Sequence, residues 1–214
     1  MTASVAIGPT TLYGPLPVAL VAIYDAGRDR TNLCTAAWTG VAATKPPQLT
    51  LSLKPERLTT ELLRRERRLT LLPATRELVT AADFCGTVSG REVDKFAACG
   101  FEPVALKGRR EAIPAGAPIA VLCSLEREID LGSHLLFILQ IDDVLLAPEL
   151  VDPDGAAIPA RAGLVGWLHG AYHALGEPLG FFGSSRARPA VYRRRMAKLR
   201  QKARMEKSTK PRRN

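Results

Sequence analysis

Short apolar runs rich in Val, Leu, Ile, Thr and Ala recur along the sequence and restrict the fold more than any other feature. They span residues 16–24, 33–43, 48–53, 69–72, 119–130 and 133–147, and turn signals at 25–27 and at Pro73 punctuate the series. Helical spacing is confined to 57–68 and 75–85, and we expect Thr59 or Thr60 to cap the first helix. Strands do not alternate regularly with helices, as they would in a doubly wound sheet. The pattern predicts a mainly β fold with short helices, either a barrel or a sandwich.

The net charge of +9 is concentrated at one end of the 214-residue chain. Residues 186–214 hold 13 of the 30 Lys and Arg and one of the 21 Asp and Glu, a balance of +12. Residues 1–185 keep 17 cations against 20 acids, a balance of −3, which argues against nucleic-acid binding by the body. We predict a globular domain over 1–185 and a basic, disordered tail over 186–214, which either only aids solubility or contacts polyanions non-specifically.

Several classes of protein and site are disfavoured. No apolar run approaches the roughly 20 residues of a membrane helix, and no secretory signal is visible at the start. The four cysteines have no metal-ligand spacing, so we expect a cytoplasmic protein with reduced thiols. His169, His173 and Glu177 are four apart, but glycines interrupt any helix through them. We therefore expect neither a membrane span nor a metal site.

The stretch "DFCGTVSGREVDKF" at 83–96 is compatible with a metal or redox site, a phosphate loop, or a cradle for a planar polar ligand. The first is weak because Cys85 and Cys99 have no second pair to complete a tetrahedral site. A nucleophilic Cys85 with His134 as base can be written, but nothing in the sequence ties the two together. The glycines favour the cradle, since they allow backbone N–H groups to approach a ligand closely.

Two other stretches extend these alternatives. "SLKPERLT" at 52–59 places hydroxyls and cations where a strand runs into a helix start, a pattern that fits a phosphate site and equally a solvated charged turn. "TNLCTAAWTG" at 31–40 sets Trp38 in a predicted strand among small residues. Trp in such a place usually packs in the core, although small neighbours also leave room for a planar ligand.

Taken in order, "TNLCTAAWTGVAATKPPQLTLSLKPERLT", "DFCGTVSGREVDKF", "LGSHLLFI" and "YHALGEPLGFFG" closely resemble the flavin reductase-like, FMN-binding split-barrel family, over roughly residues 12–185. The resemblance implies a Greek-key split β-barrel and a homodimer with FMN near the interface. It implies flavin contacts from Asn32, Thr35 and Trp38, and a region that holds the phosphate at Ser52, Lys54, Arg57 and Thr59. It also implies a loop beside the flavin ring that contains Cys85, Gly86, Ser89 and Gly90. Two residues would be catalytic: Lys95 near the reactive edge of the ring, and His134 facing the nicotinamide or partner side.

By the same resemblance, the function is that of an FMN-dependent oxidoreductase that passes hydride from NADH or NADPH to the flavin N5. The alternative is a flavoredoxin-like electron carrier that serves a protein electron acceptor. Three features depart from the family pattern: Leu139 where Gly is usual, Leu58 where an aromatic residue or His is common, and the tail from Tyr192 onward.

Overall fold

A computed structural model of the chain describes residues 4–204, with side chains described for 4–201. The mainly β prediction is confirmed, and the α-helices are short. The strands are β1 (Leu16–Pro17), β2 (Ala19–Asp25), β3 (Arg30–Ala36), β4 (Thr39–Thr44), β5 (Pro47–Leu53), β6 (Arg68–Pro73), β7 (Pro103–Ala105), β8 (Ala112–Pro114), β9 (Ile119–Asp130), β10 (Leu135–Leu146), β11 (Val165–Leu168) and β12 (Ala171–Ala174). The α-helices are α1 (Leu58–Glu66), α2 (Val79–Thr87), α3 (Lys95–Ala98) and α4 (Pro189–Arg204).

Seven strands form one antiparallel sheet in the order β3-β2-β6-β9-β10-β5-β4. The long hairpin β9–β10 forms its middle, and two register shifts let these 12-residue strands bend. Cys34 and Ala36 near one edge share a buried core with Leu51 and Leu53 near the other edge. The sheet must therefore curl into a barrel, although the edge strands β3 and β4 are not paired with each other in the described chain.

Both faces of the curled sheet are covered. On the inside, α1 contributes Leu62 and Leu63 to the core, and Leu139 is fully buried there. On the outside, α2 and α3 pack over residues that alternate with the inner ones, as β2 shows by placing Val21 inside and Leu20 outside. This double coverage explains why β2 is almost continuously buried.

The predicted elements recur with two local differences. The apolar run 33–43 is two strands, β3 and β4, and Trp38 lies in the bend between them and not in a strand. Neither Thr59 nor Thr60 caps α1, because that helix already begins at Leu58 and both threonines lie inside it. The Thr60 hydroxyl instead donates to the Lys54 carbonyl, at 2.8 Å, and closes the turn that precedes the helix.

The expected disorder from residue 186 is wrong for residues 189–204, which form α4. Counting cations against apolar residues overlooked that the few apolar positions are spaced to lie on one helix face, where Met196 is 3% exposed. Residues 205–214 lie outside the described residues. Within 4–204, no helix combines the length and the apolar character needed to cross a bilayer.

Candidate functional site

A cleft of about 210 Å³ opens where β3, the start of α1 and the loop between α2 and α3 meet. We call it the cationic cleft. It is lined by Asn32, Cys34, Glu56, Arg57, Leu58, Thr59, Val88, Ser89, Gly90, Arg91 and Lys95. Half of the twelve residues predicted to bind the cofactor therefore meet in one place, namely Asn32, Arg57, Thr59, Ser89, Gly90 and Lys95.

The N-terminus of α1 opens into the cationic cleft. Arg57 occupies the cap position, but its side chain makes no capping hydrogen bond. The guanidinium of Arg57 has no partner among the described side chains. The first backbone N–H groups of a helix lack intrahelical acceptors and carry partial positive charge, so an anion placed here would take the role of the missing cap.

Lys95 brings a second positive charge to the cationic cleft, although its side chain is almost fully buried at 4% exposed. Its ammonium group donates to the Cys85 carbonyl, at 2.7 Å, which is its one protein acceptor in the part of the chain that the structure describes. Burial lowers the pKa of Lys95, and the nearby charge of Arg57 lowers it further. Two of its three N–H donors thus remain available to a ligand.

The position of Lys95 is fixed by Asp94. The Asp94 carboxylate caps α3 by accepting from the backbone N–H groups of Phe96 and Ala97. It also pairs with Arg30 at 3.1 Å, and Arg30 in turn donates to the Gly90 carbonyl at 3.3 Å. The loop that carries Gly90 and the helix that carries Lys95 are therefore tied to β3 by one guanidinium.

The loop after α2 supplies further donors. The backbone N–H groups of Ser89 and Gly90 find no acceptor within residues 4–204, and the Ser89 hydroxyl only accepts, from the Arg91 N–H at 3.2 Å. Gly90 is required by close packing, because a Cβ there would lie 1.9 Å from the Asn32 Oδ1. Asn32 itself donates to the Thr59 hydroxyl at 3.2 Å and thereby joins β3 to α1.

Three predicted residues act behind the cationic cleft and do not line it. Thr35 donates its hydroxyl to the Ala82 carbonyl of α2, and a Cβ on Gly86 would lie 3.3 Å from the Thr35 Cβ. Gly86 and Cys85 belong to α2 itself, so they are helical and not part of a loop. Gly86 allows close packing of α2 on β3. Burial raises the pKa of the Cys85 thiol to about 12, so the thiol stays protonated near neutral pH, and the residue contributes its carbonyl.

Trp38 and His134 form an aromatic pair beside the end of β5, apart from the cationic cleft. Their ring centroids are 4.6 Å apart, with planes tilted by 32°. Trp38 is 42% exposed, so it does not serve as core packing, and His134 Nδ1 lies 3.1 Å from the Ser133 hydroxyl. The Ser52 backbone N–H donates to the Trp38 carbonyl, which connects this pair to the strand leading into the cationic cleft. Ser52 and Lys54 lie along that connection and do not line the cleft.

Sequence reasoning missed Arg91 and Asp94. Arg91 lines the cationic cleft but is occupied, donating to the Glu56 carbonyl at 3.2 Å and pairing with Glu61 at 3.1 Å. Its signal in the sequence was a cation directly after the Ser-Gly pair. Asp94 could have been found as a capping residue one position before a helix.

The cleft as a whole offers mostly donors. The donors that converge there are the cations of Arg57 and Lys95, two hydroxyls, two loop N–H groups and a helix N-terminus. The one carboxylate in the lining, that of Glu56, is solvent-exposed and lies 3.9 Å from the Lys54 ammonium group. Charge-assisted donors with hydroxyls and free backbone N–H groups are the chemistry that holds a phosphate. In contrast, no cluster of three metal-ligating side chains occurs among the described residues. His169 and His173 lie on the β11–β12 hairpin and not on a helix.

Comparisons with known proteins agree with this chemistry. The profile of the flavin reductase like domain matches residues 13–176. The structure is similar to flavoredoxin of Desulfovibrio vulgaris (Miyazaki F), with 29% identity, 86% of this chain and 100% of that chain covered, and a TM-score of 0.79. An FMN-binding protein from Thermus thermophilus shows 26% identity over 83% of this chain and 98% of its own, with a TM-score of 0.68.

A second flavoredoxin, from Methanosarcina acetivorans, shares the fold at 18% identity, over 87% of this chain and 100% of its own, with a TM-score of 0.74. A search of curated proteins found no match. The fold is that of the split-barrel flavin-binding proteins, as predicted. The chain belongs to the flavin reductase like domain family.

Proposed function

We propose that this protein binds FMN and acts as an NAD(P)H-dependent flavin reductase. The observation that carries the proposal is the cationic cleft, in which donors from four segments converge on a volume lined by Arg57 and Lys95. A family of flavin-related oxidoreductases supplies the chemical context.

The phosphate of FMN fits the cationic cleft. Arg57 would hold it with its unoccupied guanidinium fork, and the N–H groups of Ser89 and Gly90 would add neutral donors. The α1 N-terminus would contribute its partial positive charge to the same anion. These groups are already in place because Asn32, Thr59 and Arg30 tie the contributing segments together.

Lys95 is assigned here to the same phosphate. The resemblance implied a place near the reactive edge of the ring, but Lys95 lines the same cleft as Arg57 and lies close enough for the arginine to lower its pKa. Neither cation pairs with a carboxylate among the described residues, so their charges repel each other, and a dianion between them would relieve that repulsion. The test variant Lys95→Met, described in the Discussion, separates the two roles.

The ring side of the site is assigned to the aromatic pair. When bound, FMN supplies the hydride acceptor for the reaction. Trp38 is 42% exposed and would offer its ring to a planar ligand, and His134 lies against it with no hydrogen bond to its Nε2 in the described chain. His134 would then face the nicotinamide, where it can position the donor through a hydrogen bond.

We also propose that the protein is a homodimer in the cytoplasm. The edge strand β4 leaves Val41 76% exposed, only three residues from the partly exposed Trp38. A second subunit over this edge would cover both and exclude water from the ring side. All four cysteines are free, which fits a reducing compartment. Light scattering in solution would show a dimer mass if this is right and a monomer mass if it is wrong.

A second function, that of an electron carrier, is favoured by the similarity to flavoredoxin of Desulfovibrio vulgaris. In that case FMN would stay bound and a protein would accept the electrons. Oxidation of NADH and of NADPH with and without added free FMN separates the two functions. Turnover that rises steeply with free FMN supports the reductase, slow turnover with a bound and reducible flavin supports the carrier, and no reduction by either nucleotide contradicts the proposed reductase.

A further inference from the structure

The helix α4 has an unusual composition. Its sixteen residues include seven Lys or Arg and no Asp or Glu. The family match ends at residue 176, so α4 lies outside the part of the chain that the flavin chemistry explains. Its charge also contrasts with the balance of −3 over residues 1–185.

One face of α4 fixes the helix to the body. Met196 is 3% exposed, and Val191 and Leu199 are half-buried, so the few apolar residues are used for docking. The Tyr192 ring lies 5.9 Å from the Phe181 ring, between centroids. The helix is therefore held as a ridge on the protein surface, with Met196 covered by the body and Tyr192 37% exposed.

The remaining faces of α4 carry exposed cations, which are Arg193, Arg194, Arg195, Lys198 and Arg200. Two of them have contacts within the protein: Arg195 lies over the Phe181 ring at 5.1 Å, and Arg200 lies 4.0 Å from Glu177. Arg193, Arg194 and Lys198 contact no carboxylate in the described part of the chain. Arg194 and Lys198 are four apart and project side by side, opposite Met196.

We propose that α4 is a binding surface for the phosphodiester backbone of nucleic acid. A row of unpaired cations on a rigid helix can neutralise consecutive phosphates and release their counterions, and Arg adds a fork that matches phosphate geometry. A lipid surface is disfavoured because a membrane-binding helix needs a free apolar face, whereas on α4 Met196 is buried and Val191 and Leu199 are half-buried against the body. Recognition is by charge, so sequence preference is weak.

The inference is tested on the full-length protein with a pair of matched double variants. R194Q/K198Q removes two exposed charges from α4, and K45Q/K107Q removes two exposed charges from the body, so the net charge changes equally. Binding to labelled single-stranded RNA, single-stranded DNA and duplex DNA of about 20 nucleotides is measured by anisotropy from about 50 to 200 mM salt, so that the slope of log affinity against log salt can be determined.

The wild type should bind all three probes, with an affinity that falls steeply with salt. R194Q/K198Q should bind about tenfold more weakly at low salt and show a salt slope shallower by about 2, while K45Q/K107Q keeps the wild-type slope. Equal losses in the two variants would overturn the proposal, because net charge and not α4 would then control binding. Binding of only one of the three probes would overturn backbone recognition. Binding to vesicles containing phosphatidylserine, but to no nucleic acid, would assign α4 to membranes instead.

Neither variant touches the cationic cleft or the aromatic pair, so the flavin spectrum serves as an independent readout. A protein without flavin that still binds RNA through α4 would contradict the proposed function and leave this inference standing. Far-UV circular dichroism of R194Q/K198Q checks that α4 remains folded.

Discussion

Arg57→Ala should weaken FMN binding by about 1.5–3 kcal/mol, the free energy of a charge-assisted hydrogen bond to a phosphate. The structure supports this range, because the exposed Arg57 guanidinium has no hydrogen bond or ion pair among the described residues that would compete with the phosphate. The substitution also removes no helix cap, since Arg57 makes no side-chain capping bond. The expected loss of affinity is therefore about 10- to 150-fold, with little change in protein stability.

The assay is a titration of the purified apoprotein with FMN and with riboflavin, followed by flavin fluorescence. Riboflavin lacks the phosphate, so Arg57→Ala should leave its affinity unchanged. Arg91→Ala is the matched control, because Arg91 lines the same cleft but is occupied by Glu61 and by the Glu56 carbonyl. FMN affinity within threefold of wild type in Arg57→Ala, or an equal loss for riboflavin, would refute the placement of the phosphate.

Three further substitutions test a charge in the cationic cleft, the packing of Gly90 and a buried carboxylate at the end of β2. Lys95→Met should weaken the binding of FMN but not of riboflavin. The FMN affinity of the wild type should fall as the pH rises toward 10.5, because the lowered pKa of Lys95 lets it lose its proton below that value. Equal effects of Lys95→Met on the reduction of both flavins would show that Lys95 acts at the ring and not at the phosphate. Gly90→Ala should cost about 1–3 kcal/mol of unfolding free energy, since its Cβ would lie 1.9 Å from the Asn32 Oδ1, whereas Gly40→Ala meets open space and should be neutral in urea unfolding. Burial raises the pKa of Asp25, but hydrogen bonds from Arg28, Arg65 and the Gly27 N–H outweigh it and hold the pKa below 3.8. Asp25→Asn should therefore lower the free energy of unfolding at neutral pH, and in urea unfolding this loss should shrink as the pH falls through the folded-state pKa. A loss that is undiminished at about pH 2 would contradict this reasoning.

Much of the fold could be predicted because most strands are continuous apolar runs bounded by turn residues. The hairpin of β9 and β10 was visible as two long runs around Gly132. The sequence predicts a strand through Trp38 because small apolar residues continue through the bend and give no local turn signal. The prediction of disorder over α4 is wrong for a different reason: its cations dominate the composition, and the spacing of its few apolar residues becomes decisive only with the surface that receives Met196.

The site was predictable as a set of residues but not as an arrangement. Spacing alone could not show that Arg57 and Lys95 line one cleft, because β3, α1 and α3 bring them together from distant parts of the chain. The roles of Thr35 and Gly86 in packing α2 on β3 likewise depend on a contact between two elements. No sequence pattern specifies that Arg91 bonds to Glu61 and the Glu56 carbonyl, while Arg57 has no partner among the described residues.

The visible absorption spectrum of the purified protein shows whether it binds flavin. The protein is recorded as isolated and again after addition of FMN and removal of the unbound excess. We predict the absorption bands of oxidised flavin retained in proportion to protein, and their loss on addition of a reductant. A colourless protein that retains no flavin after incubation with FMN would contradict the claim.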